Sequence, residues 1–390
     1  MMSKQYYTFF LIIPPGLENL GKMELLQKTS ALSDCNLTLI DQQIGGITIE
    51  TTLEVGFLLN KILKIPTRIL LRLEHFKCRD FPRLYKKISK FKWSQYLNQP
   101  ACEIHASTQT SRLLNTKRIE QTVLEGIEQF FKANTPTKKM LDKKFNQPPQ
   151  IFLRVVDDLV TLSIDTTGDR LNIRNYRTHI GFAPIRENIA AALVYALNLP
   201  PHTHLIDPMC GSGTLLFESA TFFTPNSTRE FAFELFNLDM TLPTLLSTAN
   251  DLKDTVLTYT GLDINEHAIE TAKHNLKNLK SPRPFQFLRQ DLFMEGCLKK
   301  ADLISVITNP PYGKRITIKE NLTSYYQKIL DAIFKNYRPI VFGIIIPKSV
   351  NYKNLKLRNY LINEVISFQN GGIKVNFLIL HKNQTSISNT

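Results

Sequence analysis

The sequence predicts an α/β protein in which a parallel, doubly wound sheet fills the C-terminal half and two smaller α+β modules precede it. Three observations carry that expectation. From about Ile185 onward, short apolar strands alternate with amphipathic helices, which is the pattern of a parallel sheet. The first 165 residues instead mix strands and helices without that regular alternation. At 390 residues the chain exceeds what one hydrophobic core usually organises, so two or three domains are expected.

Tyr6–Ile13 is a β-rich apolar run that stops at Pro14-Pro15-Gly16, after which Leu17, Leu20, Met23 and Leu25 follow a helical period. Strands over Leu37–Asp41 and Gly46–Glu50 and a helix over Leu53–Lys61 complete a first module at 1–65. The second, at 66–167, has strands at Arg68–Phe76, Glu103–Thr108, Ile151–Val156 and Leu159–Asp165, with helices at Leu84–Phe91 and Lys117–Phe131. Residues 132–150 form a polar, basic connector inside it. A linker at 168–184 leads to the third domain, 185–390. There the strands are His204–Asp207, Leu257–Asp263, Phe285–Gln290, Leu303–Thr308, Ile340–Ile346, Glu364–Gln369 and Lys374–Leu380. The last two, joined across Asn370-Gly371-Gly372, read as an antiparallel hairpin that closes the sheet. The tail at 383–390 is expected to fray.

The formal net charge is +14, and such an excess is useful where it clusters on a surface that meets a polyanion. It does cluster: residues 77–144 hold fifteen Lys and Arg against six Asp and Glu. Arg79, Lys86, Lys87, Arg112, Lys117 and Arg118 are candidate phosphate contacts to a nucleic acid. The five cysteines are widely separated and form no CxxC, so neither a zinc knuckle nor a disulfide framework is indicated. No metal is expected, because His202/His204 and His267/His274 are better explained as helix caps or surface positions. No apolar run approaches the roughly 18 residues that cross a bilayer, so no membrane contact and a cytoplasmic location are expected.

The run Leu205-Ile206-Asp207-Pro208-Met209-Cys210-Gly211-Ser212-Gly213-Thr214 sets a carboxylate at the end of a buried strand, then a Gly-rich turn, then a helix start. Glycines let the backbone pass close to a ligand in the crevice of a doubly wound sheet. A second acidic strand end follows at Asp263-Ile264 and a third at Asp291. Together Asp207, Pro208, Cys210, Gly211, Gly213, Thr214, Asp263, Ile264 and Asp291 make a candidate cofactor site. Its three carboxylates can hold in turn the ammonium, ribose hydroxyls and adenine amino group of S-adenosylmethionine. A dinucleotide site is the competing reading. Against it, the full GxGxxG is absent and the acid lies about fifty positions past the glycines, where dinucleotide folds place it roughly twenty on. The extra length is an inserted segment, 222–255.

The fourth strand ends in Asn309-Pro310-Pro311-Tyr312-Gly313. Two prolines fix the backbone and remove donors, which leaves carbonyls free to face a ligand. The Asn309 side-chain oxygen and the Pro310 carbonyl can each accept one N–H of a base amine, and Tyr312 can stack on an extruded base. Asn309, Pro310, Pro311 and Tyr312 are therefore the candidate catalytic residues. This motif alone does not separate guanine N2 from adenine N6, since both are exocyclic amines.

On these motifs the chain resembles the THUMP-domain RNA methyltransferases, especially the guanine-N2 type. The resemblance extends upstream through Pro15-Gly16-Leu17-Glu18, Gly45–Glu50, Ile69–Leu73, Phe76–Phe81 and His105-Ala106-Ser107 with Ser111-Arg112-Leu113. It continues through Ser163–Gly168, Tyr176-Arg177, Ala183–Glu187 and the insert at Arg229–Glu234, although Asn175 stands where the family usually has glycine. It implies a Rossmann-like, seven-stranded S-adenosylmethionine-dependent domain preceded by ferredoxin-like and THUMP modules. The N-terminal half would capture structured RNA, large-subunit rRNA or a ribosomal precursor, and the C-terminal domain would methylate guanine N2. Methylation of tRNA guanine or of adenine, or a non-catalytic role in RNA assembly, are the alternatives.

Overall fold

A computed structural model of the protein describes residues 5–30, 32, 35–134, 147–179, 185–226, 229–238, 241–243, 256–279, 283–294, 303–313 and 320–383. Most of the expected basic connector, parts of the linker and insert, and the C-terminal tail beyond residue 383 lie outside these residues.

The N-terminal half is built on one seven-stranded sheet. Strands β1 (Tyr7–Ile12), β2 (Leu37–Gln43) and β3 (Gly46–Thr51) pack under helices α1 (Glu18–Ser30) and α2 (Leu53–Ile62). Next come β4 (Arg68–Lys77), α3 (Phe81–Lys90), β5 (Glu103–Gln109), α4 (Thr116–Ala133), β6 (Gln150–Val156) and β7 (Leu159–Asp165). The strand order is β2-β3-β1-β4-β7-β6-β5, antiparallel throughout except for the parallel pair β5 and β6. Strand β4 joins the two modules. Its first residues pair with β1 (Leu11 opposite Ile69) and its later ones with β7 (Lys77 opposite Leu159). The expected boundary after residue 65 therefore precedes a strand that both modules share.

Local sequence explains the helix starts. Asp80 accepts from the Arg83 amide at 2.8 Å with Pro82 in the first turn, so α3 begins at Phe81, three residues before the periodicity suggests. Asn115 caps α4 in the same way, accepting from the Arg118 amide at 3.0 Å.

The C-terminal half follows α5 (Glu187–Ala196) with β8 (Thr203–Asp207), α6 (Thr214–Thr221), β9 (Val256–Asp263), α7 (Glu266–Leu279) and β10 (Phe285–Arg289). It ends with β11 (Ile304–Thr308), α8 (Leu322–Asn336), β12 (Val341–Pro347), β13 (Tyr360–Asn370) and β14 (Ile373–Lys382). The order is β10-β9-β8-β11-β12-β14-β13, with the first five strands parallel and the β13–β14 hairpin antiparallel. All seven residues of β12 are buried, as a central strand covered on both faces requires. The order reverses direction between β8 and β11, and the crevice outside such a switch point is where open α/β sheets bind ligands.

Buried polar groups fix one half against the other. Lys28 Nζ donates to Glu24 at 2.7 Å, to the Ile62 carbonyl at 2.8 Å and, across the junction, to the Phe222 carbonyl at 2.8 Å. Arg174 donates to the Lys64 carbonyl at 2.9 Å and pairs with buried Glu218, which also accepts from Tyr176 at 2.7 Å. At Gly16 the backbone has φ +93°, and a Cβ there would lie 2.1 Å from the Ser367 carbonyl oxygen, so only glycine lets this turn rest against β13. Buried charges persist only when paired, and these paired groups tie the two halves together.

Candidate active site

The carboxyl ends of β8, β9, β10 and β11 open onto one cleft of about 790 Å³. Twelve of the thirteen residues expected to hold a cofactor or a target base line it: Asp207, Pro208, Cys210, Gly211, Thr214, Asp263, Ile264, Asp291, Asn309, Pro310, Pro311 and Tyr312. Gly213 does not. It caps α6 with φ +84°, and a Cβ would sit 2.7 Å from the Phe217 ring, so its glycine is required by backbone conformation and packing.

The three acidic strand ends differ in environment. Asp207 is 1% exposed, and its Oδ1 accepts from the Met209 amide at 3.1 Å. Burial pushes its carboxyl up to about 7, opposed by that amide and reinforced by the charge of Asp263. Asp263 ties two turns together, because Oδ2 accepts from the Gly211 amide at 3.0 Å and Oδ1 from the Asn265 amide at 2.9 Å. A carboxylate accepts about four hydrogen bonds, so it still has capacity for a ligand. Asp291 holds its own turn by accepting from the Phe293 amide at 2.9 Å. Between these acids Ile264 is 62% exposed and Phe293 46%, apolar walls open toward the cleft. Burial drives the Cys210 thiol well up, so it packs here as a neutral group.

The fourth strand end is organised by a chain of hydrogen bonds. Asn370 Nδ2 donates to the Tyr312 hydroxyl at 2.9 Å, and that hydroxyl donates to Asn309 Oδ1 at 2.5 Å. The direction is self-consistent: with a lone pair of the phenol taken by Asn370, its proton goes to Asn309. One lone pair of Oδ1 then remains for another donor. Burial pushes the Tyr312 phenol up to about 12, so it stays protonated. Tyr326 donates to the Pro311 carbonyl at 3.2 Å, whereas no hydrogen bond among the described residues reaches the Pro310 carbonyl. Asn370 is a residue that sequence reasoning read only as a hairpin turn. Its partner lies 58 positions away, so no local spacing could reveal it. Gln290, Tyr325, Arg186 and Ile373 also line the cleft without having been singled out.

The six basic residues expected to meet phosphate fall in two groups. Arg79 bonds Asp158 at 2.9 Å while the Arg112 amide bonds the same carboxylate at 2.8 Å. The Arg112 amide first, and then Arg79, hold that carboxyl below its usual range. Arg118 stacks 4.2 Å above the Phe81 ring, beside Lys117 in the first turn of α4. Lys86 and Lys87 lie instead along α3, in a groove of about 920 Å³ with Lys77, Arg83, Lys90 and Lys92, where Lys87 is paired with Glu74. Among the described residues no group of three or more His, Cys, Asp or Glu could hold a metal ion, and no helix is long and apolar enough to cross a membrane.

The parallel sheet with its terminal hairpin and the acidic crevice define a methyltransferase-type α/β domain. The chain belongs to the family of RMKL-like methyltransferase domains, whose sequence profile matches residues 174–370. The ribosomal RNA large subunit methyltransferase K/L of Colwellia psychrerythraea is 26% identical over 385 residues, covering 92% of this chain and 52% of the relative. The chain thus spans about half the length of the curated relatives it matches. Among solved structures, a possible methylase from Clostridium difficile 630 is 26% identical with a TM-score of 0.77, covering 97% of this chain and 99% of the other. SMU.472, solved in complex with SAH, shares the fold at 22% identity and a TM-score of 0.73, covering 98% and 99%.

Proposed function

We propose that the protein transfers a methyl group from S-adenosylmethionine to the exocyclic N2 of a guanine in structured RNA, in 23S rRNA or its precursor. The observation that carries this reading is the convergence of three acidic strand ends and Asn309–Tyr312 on one cleft. The donor set fits the cofactor: a buried carboxylate for an ammonium, a second for ribose hydroxyls, a third for an adenine amino group, and apolar walls at Ile264 and Phe293 for the ring. SAH bound to SMU.472 and the rRNA named for the K/L relatives support the same cofactor and substrate here.

When bound, S-adenosylmethionine supplies a methyl group already activated on a sulfonium. The chain's own task is positioning and electrostatics. The free lone pair of Asn309 Oδ1 and the Pro310 carbonyl accept the two N–H groups of the base amine, which turns the nitrogen lone pair into the cleft. Tyr312 polarises Asn309 and offers its ring to the base. An extruded guanine is held in this way without any group needing to ionise.

Asp207 gives the reading a pH signature. Its folded carboxyl titrates near 7, above the ordinary carboxylate range, so below pH 7 it is protonated and neutral toward an ammonium. Cofactor affinity is expected to fall by about tenfold for each pH unit below 7 and to level off above it, with proton release on binding. The contribution to fold stability runs the opposite way: favourable at low pH, it is lost as pH rises through about 7. Calorimetric titration of S-adenosylmethionine from pH 5.5 to 8.5 checks the first, and a flat affinity would remove Asp207 from the ammonium.

The substrate is tested in cells. Large-subunit rRNA from a strain lacking the protein should lose one N2-methylguanosine in a nucleoside mass spectrum. Retention of every N2-methylguanosine with loss of an N6-methyladenosine would assign the cleft to adenine.

A further inference from the structure

The N-terminal sheet has a face away from its helices whose side chains are of the kind that hold single-stranded nucleic acid; the residues charge clustering singled out did not include its Arg72 and Arg154. In β6, Ile151, Leu153 and Val155 are buried, joining the core cluster that includes Leu84 and Ile88 of α3 and Ile119 and Val123 of α4. Phe152 and exposed Arg154 alternate with them and project from the other side. A bulge between Arg72 and Glu74 in β4 decides what joins them. Arg72 lies opposite Ser163 and His75 opposite Thr161, two residues apart on β7, so both share the face of Phe152 and Arg154. Glu74, opposite Leu162, turns to the helix side, where it meets Lys87.

A row results that crosses five adjacent strands, with flat groups on four of them and buried Ser163 on the fifth. His105 stacks on Phe152 with ring centroids 4.8 Å apart. Ser163 follows and holds Arg72 at 3.0 Å, and the Arg72 guanidinium lies 4.4 Å over the Phe10 ring. Arg154 stands beside this row next to Thr161, which bonds His75 at 3.1 Å. Among the described residues no carboxylate bonds either arginine. Burial first, and the nearby Arg154 charge second, bring the Arg72 guanidinium down to about 10. Two like charges held together with no acid between them leave a repulsion that a bound anion relieves.

We propose that this face binds a single-stranded segment of the RNA substrate, with Arg72 and Arg154 on backbone phosphate and His105–Phe152 stacked against a base. This rests on the RNA reading above and adds to it a surface distinct from the lysine groove along α3. The chemistry is that of sheet platforms for single strands, in which aromatic faces tolerate any base and guanidinium groups track the backbone.

The test is fluorescence anisotropy of the full chain with a labelled single-stranded RNA of roughly ten nucleotides, across a salt series. Removing both arginines (Arg72→Gln with Arg154→Gln) should weaken binding at least tenfold and lower the salt slope by about 1.4, since each single-strand phosphate contact contributes roughly 0.7. Arg154→Gln alone, at an exposed position where folding is safe, should lower the slope by about half as much. Phe152→Leu should weaken binding by roughly tenfold with an unchanged slope, because stacking carries no counterion release. Wild-type affinity and slope in the arginine variants would overturn the proposal. Loss confined to Lys86→Ala with Lys87→Ala would overturn it too while leaving the RNA reading intact, and absence of any RNA binding by the wild-type chain would overturn both.

Discussion

Asn309→Ala is expected to lower the rate of methyl transfer by about 10²- to 10³-fold or more while the dissociation constant for S-adenosylmethionine stays within about twofold. The asymmetry follows from where the side chain stands. Asn309 Oδ1 receives the Tyr312 hydroxyl and presents its second lone pair to the cleft at the end of β11, and among the described residues it bonds none of the three acids expected to hold the cofactor. Removing it leaves the Tyr312 hydroxyl without its acceptor and the target amine held only by the Pro310 carbonyl. Tyr312→Phe should cost less, because the ring remains and only the polarising hydroxyl is lost. Single-turnover rates with separate cofactor titrations check both variants. A large loss of cofactor affinity in Asn309→Ala would mean that the asparagine belongs to the cofactor site.

Asp263→Ala should act the other way, weakening cofactor binding by about hundredfold or more with a much smaller effect on the rate at saturation. The carboxylate does two things at once. It holds the Gly211 and Asn265 amides, which shape the glycine turn, and it keeps acceptor capacity for a ligand. Charge-assisted bonds of this kind are worth roughly 1.5–3 kcal/mol each, and two of them convert to the stated loss. Asp263→Asn, which keeps one acceptor, should fall between. Equal loss in both variants would show that charge alone matters at this position.

The fold and the cleft were unequally legible in the sequence. Parallel strands announce themselves, because a run such as Val341–Pro347 is buried at every residue and must be apolar throughout. The acidic strand ends and Asn309–Tyr312 could be read because each is a short contiguous motif at the end of such a run. What escaped has a common cause. Asn370 meets Tyr312 across 58 positions, and Arg72 and Arg154 come to one sheet face through two strand pairings and a bulge, so neither juxtaposition has a local signature. Gly213 looked like a ligand contact because GxG turns often are one. Its φ and the Phe217 ring account for it instead. The basic stretch was visible as composition, but composition does not show that Lys87 and Arg79 are already paired to Glu74 and Asp158. The single sheet running through both N-terminal modules was hidden for the same reason: strand β4 carries β1 on one edge and β7 on the other, and pairing is not written in periodicity.

The proposed activity needs one cleft to bring an activated methyl group to the exocyclic amine of an RNA base. Its most direct test is transfer of labelled methyl from S-adenosylmethionine by the purified chain to total RNA from a strain lacking the protein, followed by digestion to nucleosides. The expected result is label in N2-methylguanosine, recovered from the large rRNA and absent with Asn309→Ala. Label in another nucleoside, or no label in any RNA while the cofactor still binds, would contradict it.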